Sequence, residues 1–176
     1  MKSVFEIQEL MIQRAKETGA AFPEIELIVN DDLKSLLLKA IIKDFSNLWR
    51  EKVITADFLK EYFREKELCG AGIFLEGTHE TTLESIVVCG NAVVNAIGCS
   101  RSQCFGHSIV SCLSGSHSAY EHSSIETLSE SIIRAYDSAK VRTGLGNSVV
   151  YTCDNATLIA KRNTVEIRNG EFIIHN

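Results

Sequence analysis

The sequence lacks the long apolar runs and the targeting signals that would place it in or across a membrane. No stretch approaches the roughly 20 consecutive apolar residues of a membrane helix, and the first residues, MKSVFEIQEL, lack the apolar core of a signal peptide. Only one proline, Pro23, is present, so long irregular segments are not expected. We therefore expect a cytoplasmic protein with no membrane partner.

Motifs that identify common enzyme and binding classes are also missing. The sequence contains no P-loop, no G-x-G-x-x-G after a strand, no H-E-x-x-H, no calcium-binding EF-hand loop and no C-x-x-C. A net charge of −5 and a pI near 5.6 argue against a surface built to bind phosphates non-specifically, which needs clustered Lys and Arg. We therefore expect no nucleic-acid partner.

The first third of the chain has the signals of helices. Ser3 followed by Glu6 fits a capping box, and Gly19 is a suitable end for the helix that it starts. Apolar residues at helical spacing predict a second helix over 33–49 and a third over 55–68. Residues 24–29 between the first two helices could form a short strand or an extended connector.

The composition changes near residue 70 toward glycine and β-branched residues. Short strands are expected there, with a hairpin at Gly90-Asn91, another at Asn169-Gly170 and a C-terminal antiparallel meander of up to four strands. A capping box and a helical apolar face predict one long helix from Ser124 to Arg142. No repeat of fixed period is apparent.

The predicted fold class is therefore α+β, with three N-terminal helices followed by a mainly antiparallel β-sheet on which one long helix packs. The expected division is a helical subdomain over residues 1–69 and a sheet-plus-helix domain over residues 70–176. With 45% hydrophobic and 23% charged residues, the composition is that of a folded globular chain.

Cysteines and histidines concentrate in one segment, residues 99–122, which holds three of the six cysteines and three of the five histidines. In a reducing compartment such cysteines are free thiols, metal ligands or redox groups rather than a disulfide framework. Buried thiols with surface histidines are the simplest interpretation, because free cysteine is among the most buried residue types.

A zinc site is the first functional hypothesis for this segment, because thiolate and imidazole are the ligands that zinc prefers. Four ligands would come from Cys99, Cys104, His107, Cys112, His117 and His122, and we expect the set Cys99, Cys104, His107 and His117. The spacing from Cys104 to His117 has the 2-4-4 rhythm of a zinc knuckle, but the order of ligands, Cys-His-Cys-His, differs from that motif.

Nucleophilic catalysis is a second hypothesis, and we expect Cys104 as the nucleophile and His107 as its base. The nucleophile could also be Cys99 or Cys112, the base His117 or His122, and the group that orients the imidazole Glu121 or Glu126. A cysteine enzyme needs a neighbouring base or a positive field to form the thiolate. The alternative is a small-molecule site that uses His117, His122 and Glu121.

Low charge favours a binding role slightly, since Arg101 is the only charged residue between Ser85 and Tyr120. Such a stretch is a central sheet, a pocket wall or an oligomer interface. We rank a ligand- or metal-binding regulatory domain that forms a homo-oligomer first, a small Cys/His enzyme second and a structural interaction module third. Apart from possible zinc, no cofactor can be named.

Overall fold

The computed structural model describes residues 2–21 and 33–175. The strand or connector expected over 24–29 lies outside the described residues. The chain forms two compact units, Met1–Ile73 and Phe74–Asn176. Among the described residues, no helix combines the length and the apolar character needed to cross a membrane.

The first unit is helical, and its first helix starts and ends where the sequence predicts. Ser3 Oγ accepts a hydrogen bond from the backbone N–H of Glu6, whose carboxylate accepts one from the Ser3 backbone, and Gly19 closes the helix at φ 74°. The five helices of the described part are α1 (Val4–Thr18), α2 (Leu33–Lys43), α3 (Phe45–Arg50), α4 (Ala56–Tyr62) and α5 (Glu65–Ala71).

The single helices predicted over 33–49 and 55–68 are each divided into two. The first is interrupted at Asp44, whose carboxylate accepts a hydrogen bond from the side chain of Asn47. The second is interrupted because Phe63 is extended and Arg64 starts a new helix, with Glu67 bonding back to the Arg64 N–H. These interruptions let short helices turn their apolar faces toward a shared core of Ile7, Met11, Leu37, Ile41, Phe45, Leu48, Phe58 and Leu59.

The second unit is a β-solenoid, not the antiparallel sheet with one long packed helix that the sequence predicts. Its strands alternate between two sheets and, with one exception, pair in parallel. The strands are β1 (Ile73–Phe74), β2 (Thr78–Thr81), β3 (Ser85–Val88), β4 (Val93–Ala96), β5 (Arg101–Cys104), β6 (Ile109–Cys112), β7 (Gly115–Ala119), β8 (Ser124–Thr127), β9 (Ser131–Ala135), β10 (Lys140–Arg142), β11 (Ser148–Thr152), β12 (Thr157–Ile159), β13 (Thr164–Arg168) and β14 (Glu171–His175).

Sheet A has the order β1-β3-β5-β7-β9-β11-β13-β14, and sheet B has the order β12-β10-β8-β6-β4-β2. The chain therefore makes about six turns, each contributing one strand to each sheet. Residues in register on neighbouring turns are 15 to 17 apart. This is the repeat that the sequence does not reveal, because its period varies and its residues are not identical from turn to turn.

The predicted helix from Ser124 to Arg142 is instead β8, β9 and β10. Buried residues alternate along each strand, as at Ile125 and Thr127 or Ile133 and Ala135, but are four apart across the corners. The apolar residues that indicated a helix come from both faces of these strands: Ala135 and Ala139 are buried, whereas Leu128 and Ile132 are exposed. Sequence periodicity alone was therefore misleading here.

At one corner of the solenoid, residues with a left-handed backbone conformation stack on one another from turn to turn. Gly90 has φ 63°, and a Cβ there would lie 2.4 Å from the Leu75 carbonyl oxygen. The hairpin predicted at Gly90-Asn91 is wrong, because Gly90 connects strands of different sheets. Positive φ recurs in register at Gly106, Glu121, Asp137 and Asp154. Side-chain hydrogen bonds link successive turns at this corner. The Asp137 carboxylate accepts one from the backbone N–H of Glu121, and the Asp154 carboxylate accepts one from the backbone N–H of Asp137.

The C-terminal hairpin is the exception to parallel pairing. Asn169 and Gly170, both with positive φ, connect β13 to β14 in antiparallel register, which confirms that part of the predicted meander. The preceding strands of the expected meander, β11 and β12, lie in different sheets. Only the last strand therefore reverses direction.

Candidate metal centre

The interior of the solenoid changes from apolar to polar at two successive turns of sheet A. The inward-facing row that runs across the sheet reads Ile86, Ser102, His117, Ile133 and Val150. All are buried, and His117 is only 1% exposed. A serine and a histidine thus occupy positions that neighbouring turns fill with isoleucine or valine, at a cost in desolvation unless both find partners.

Ser102 and His117 bond to each other, which leaves one nitrogen of the imidazole over. The distance from Ser102 Oγ to His117 Nδ1 is 2.9 Å. Nε2 of the same ring is buried and has no hydrogen-bond partner among the described residues. Burial lowers the pKa of His117, and an interaction with the Ser114 backbone opposes this only in part, so the neutral ring is favoured. If Nδ1 donates its proton to Ser102, Nε2 presents a free lone pair.

Two thiols lie beside the His117 ring. One sulfur or nitrogen atom each from Cys99, Cys112 and His117 lies within 4.8 Å of the others, and all three side chains are buried. Cys112 ends β6 in sheet B, His117 lies in the middle of β7 in sheet A, and Cys99 lies in the corner that follows β4. The fold thus brings three soft ligands from two neighbouring turns to one corner of the interior.

The two thiols change each other's pKa in opposite directions. Hydrogen bonding with Cys112 lowers the pKa of Cys99, and the same contact, with burial, raises that of Cys112. Cys99 Sγ also lies 2.9 Å from the Arg101 carbonyl oxygen. Arg101 itself is exposed. The residues beside the cluster in register, including Ala96, Thr127 and Ile133, are uncharged, so a pair of thiolates would need a bound cation for balance.

Cys104 lies next to this cluster but not within it. Its sulfur is 3.9 Å from Ser102 Oγ, its side chain is fully buried, and burial raises its pKa to about 12. A nucleophilic cysteine needs a depressed pKa and access to substrate, so these observations give no support to Cys104 as a nucleophile.

The remaining predicted residues lie at the opposite corner, outside the interior. His107 and His122 are exposed and stack on each other with ring centroids 5.2 Å apart. Glu121 has positive φ, and its carboxylate accepts a hydrogen bond from the Gly106 N–H. The structure therefore does not bring His107 to Cys104, nor His122 and Glu121 to His117.

Of the predicted zinc ligands, Cys99 and His117 are brought together, whereas Cys104 is a neighbour and His107 is elsewhere. Cys112, which was named only as an alternative ligand, takes the third position. The spacing of 15 or 16 residues between positions in register is the sequence signal that could have identified Cys112 as a ligand. Ser102 and His117 are 15 residues apart and pair in register, and Ala96 and Cys112 are 16 apart and also pair.

Comparison with known proteins adds no functional assignment. The chain matches no protein-family model, no curated protein and no solved structure. The site must therefore be interpreted from its own chemistry.

Proposed function

We propose that this chain is a metal-binding β-solenoid protein that holds one zinc ion through Cys99, Cys112 and His117. The observation that carries the proposal is the cluster itself: a ring nitrogen of the buried His117 and the sulfurs of Cys99 and Cys112 all lie within 4.8 Å of one another. The Nε2 atom of that ring has no hydrogen-bond partner among the described residues. Ser102 Oγ holds Nδ1 of the same ring at 2.9 Å, and a hydrogen bond on the other nitrogen is what fixes the ring orientation of metal-binding histidines.

Zinc fits the site by charge as well as by ligand type. Two thiolates and one neutral imidazole balance a divalent cation, which suits a site with no charged neighbour in register. The ligands are soft and borderline, a set that favours zinc over magnesium or calcium. Three protein ligands leave the fourth position of a tetrahedral zinc ion to water or another small ligand, and burial of all three side chains favours a structural role, because substrate has little access.

Metal content of variants tests this proposal. We expect the untagged protein, purified under reducing conditions without chelator, to carry one zinc ion per chain by native mass spectrometry and elemental analysis. Cys112→Ala should lose the ion. Cys89→Ala is the matched control, because Cys89 is equally buried but bonds toward the Phe74 carbonyl rather than toward the cluster, and it should retain the ion.

Three results would overturn the assignment. The first is an unmodified wild-type mass that stays free of metal after zinc is added. The second is a mass two hydrogens short under non-reducing conditions, with a disulfide mapped between Cys99 and Cys112, which would make the pair a redox site instead. Equal metal loss from Cys112→Ala and Cys89→Ala would show that the ion depends on core packing in general and not on these ligands.

A further inference from the structure

The last strand of the solenoid, β14, forms an edge of sheet A that lacks the usual protection. Among the described residues, β14 pairs only with β13, and its other edge meets no strand. Natural edges are commonly blocked by lysine, proline, a bulge or a covering segment. The sequence of β14 is EFIIH, and its centre is exposed: 73% for Phe172, 39% for Ile173 and 66% for Ile174.

The outer face of sheet A next to this edge is apolar as well. Residues in register across β9, β11, β13 and β14 form two outward-facing rows that reach the edge. The first row is Ile132, Val149, Val165 and Ile174. The second is Tyr151, Ile167 and Phe172 next to the edge, and it ends on β9 at Arg134, whose guanidinium lies over the Tyr151 ring. Contiguous exposed apolar surface of this kind marks an interaction site on a soluble protein.

The sequence of β14 is complementary to itself in one antiparallel register. If two copies pair about a two-fold axis through Ile173, Phe172 lies opposite Ile174 of the second copy, and Glu171 lies opposite His175. Apolar side chains then meet apolar ones. Each Glu171 carboxylate meets an imidazole that bonds Glu166 through Nε2 and that, when protonated, has Nδ1–H as a second donor. A two-fold interface requires such self-complementarity, in which residue i meets j and j meets i.

We propose that the protein forms a homodimer in which the β14 strands of two copies pair antiparallel through Ile173, joining two A sheets into one. A second copy is the occupant that the edge fits best, because the other end of sheet A, β1, has only two residues and offers little for a head-to-tail contact. Pairing would also join the apolar rows of the two copies. The proposal does not depend on zinc.

The mass in solution of matched lysine variants tests whether the β14 edge is the dimer interface. We expect the wild type to have twice the chain mass of 19.5 kDa by light scattering at micromolar concentration, and Ile174→Lys to raise the dimer dissociation constant at least tenfold. Ile159→Lys is the control, since Ile159 is similarly exposed at 60% but lies on β12, the edge of sheet B. It should leave the dimer intact. A monomeric wild type, a dimeric Ile174→Lys, or assemblies that grow with concentration would overturn the proposal.

Disulfide trapping tests the register. In a Cys153→Ser background, which removes the exposed thiol, Ile173→Cys should form a covalent dimer on mild oxidation because the two Cys side chains meet at the axis. The same background without Ile173→Cys should stay uncrosslinked. If the copies instead packed face to face through Phe172 and Ile174, Ile174→Cys would crosslink and Ile173→Cys would not, which would overturn the edge pairing.

Discussion

The two units of this protein make their backbone hydrogen bonds over very different distances along the chain. In the helical unit, bonds such as Phe63 N to Leu59 O span four residues. In the solenoid, bonds such as His107 N to Gly90 O and His122 N to Gly106 O span a whole turn. A helix can therefore be stabilised or damaged one turn at a time, whereas each solenoid turn depends on the turns beside it.

Removing the proposed ion should produce the largest difference between the two units, because its three proposed ligands all lie in the solenoid. A chelator should destabilise the solenoid turns around Cys99 and Cys112 by about 4 kcal/mol if zinc was present at a thousandfold its dissociation constant. Hydrogen exchange measured by mass spectrometry should then accelerate over 93–135 and stay unchanged over α1 to α5. Equal acceleration in both units, or none in either, would contradict a local structural ion.

Two glycines sharpen the comparison between the units. Gly19 ends α1 at φ 74° with open space around a would-be Cβ, whereas Gly115 has φ 130° and a would-be Cβ 2.3 Å from the Ser100 carbonyl oxygen of the preceding turn. Gly19→Ala should cost about 1 kcal/mol from backbone conformation alone. Gly115→Ala should cost about 3 kcal/mol or more because backbone must also move. Urea denaturation compares them, and equal losses would show that turn-to-turn contact does not limit the solenoid.

Acid should affect both units through one hydrogen-bonded carboxylate in each. Burial raises the pKa of Glu166, but hydrogen bonds from Thr152 and His175 and the charge of Arg168 bring it below 4.5. In the helical unit, the Arg64 N–H is the main cause of the lowered pKa of Glu67. Both carboxylates therefore stabilise the fold fully above pH 4.5, and this contribution is lost as the pH falls through their folded pKa values.

Glutamine variants measure these contributions. At pH 7, Glu166→Gln should cost about 2 kcal/mol and Glu67→Gln about 1 kcal/mol. Both deficits should shrink as the pH falls from 4.5 through the lowered folded pKa values, because the wild-type carboxylates then become neutral as well. A deficit that stays constant between pH 7 and pH 3 would mean that shape, not charge, matters at that position.

The difference in sequence separation between hydrogen-bonded residues also explains which parts of the fold can be predicted from the sequence. Ser3, Glu6 and Gly19 determine the ends of α1 from within a few residues, so its bounds could be predicted. Asn169-Gly170 is equally local, and the hairpin that it predicts is present. The solenoid turns are specified by residues 15 to 17 apart. Apolar residues from both faces of the strands, such as the buried Ala135 and the exposed Ile132, have helical spacing along the chain, so local patterns indicated a helix where strands lie.

The candidate site was only partly predictable for the same reason. Composition drew attention to residues 99–122, but which ligands meet depends on the register of neighbouring turns. His107 and His122 are 15 residues apart and stack on the surface, whereas Cys112 reaches His117 across the interior. A four-ligand spacing motif does not describe a site assembled across turns.

A stack of aromatic rings beside the left-handed corner of the solenoid and a tryptophan in the helical unit give the two units different optical signals. Phe105, Tyr120 and Tyr136 lie nearly parallel on three successive turns, with centroids 4.8 and 4.9 Å apart, whereas the sole tryptophan, Trp49, is buried against Phe45 in the helical unit. Tryptophan emission therefore reports on the helices, and the near-ultraviolet dichroism of stacked tyrosines reports on the solenoid. A single unlabelled sample can show whether the two units unfold together or in sequence.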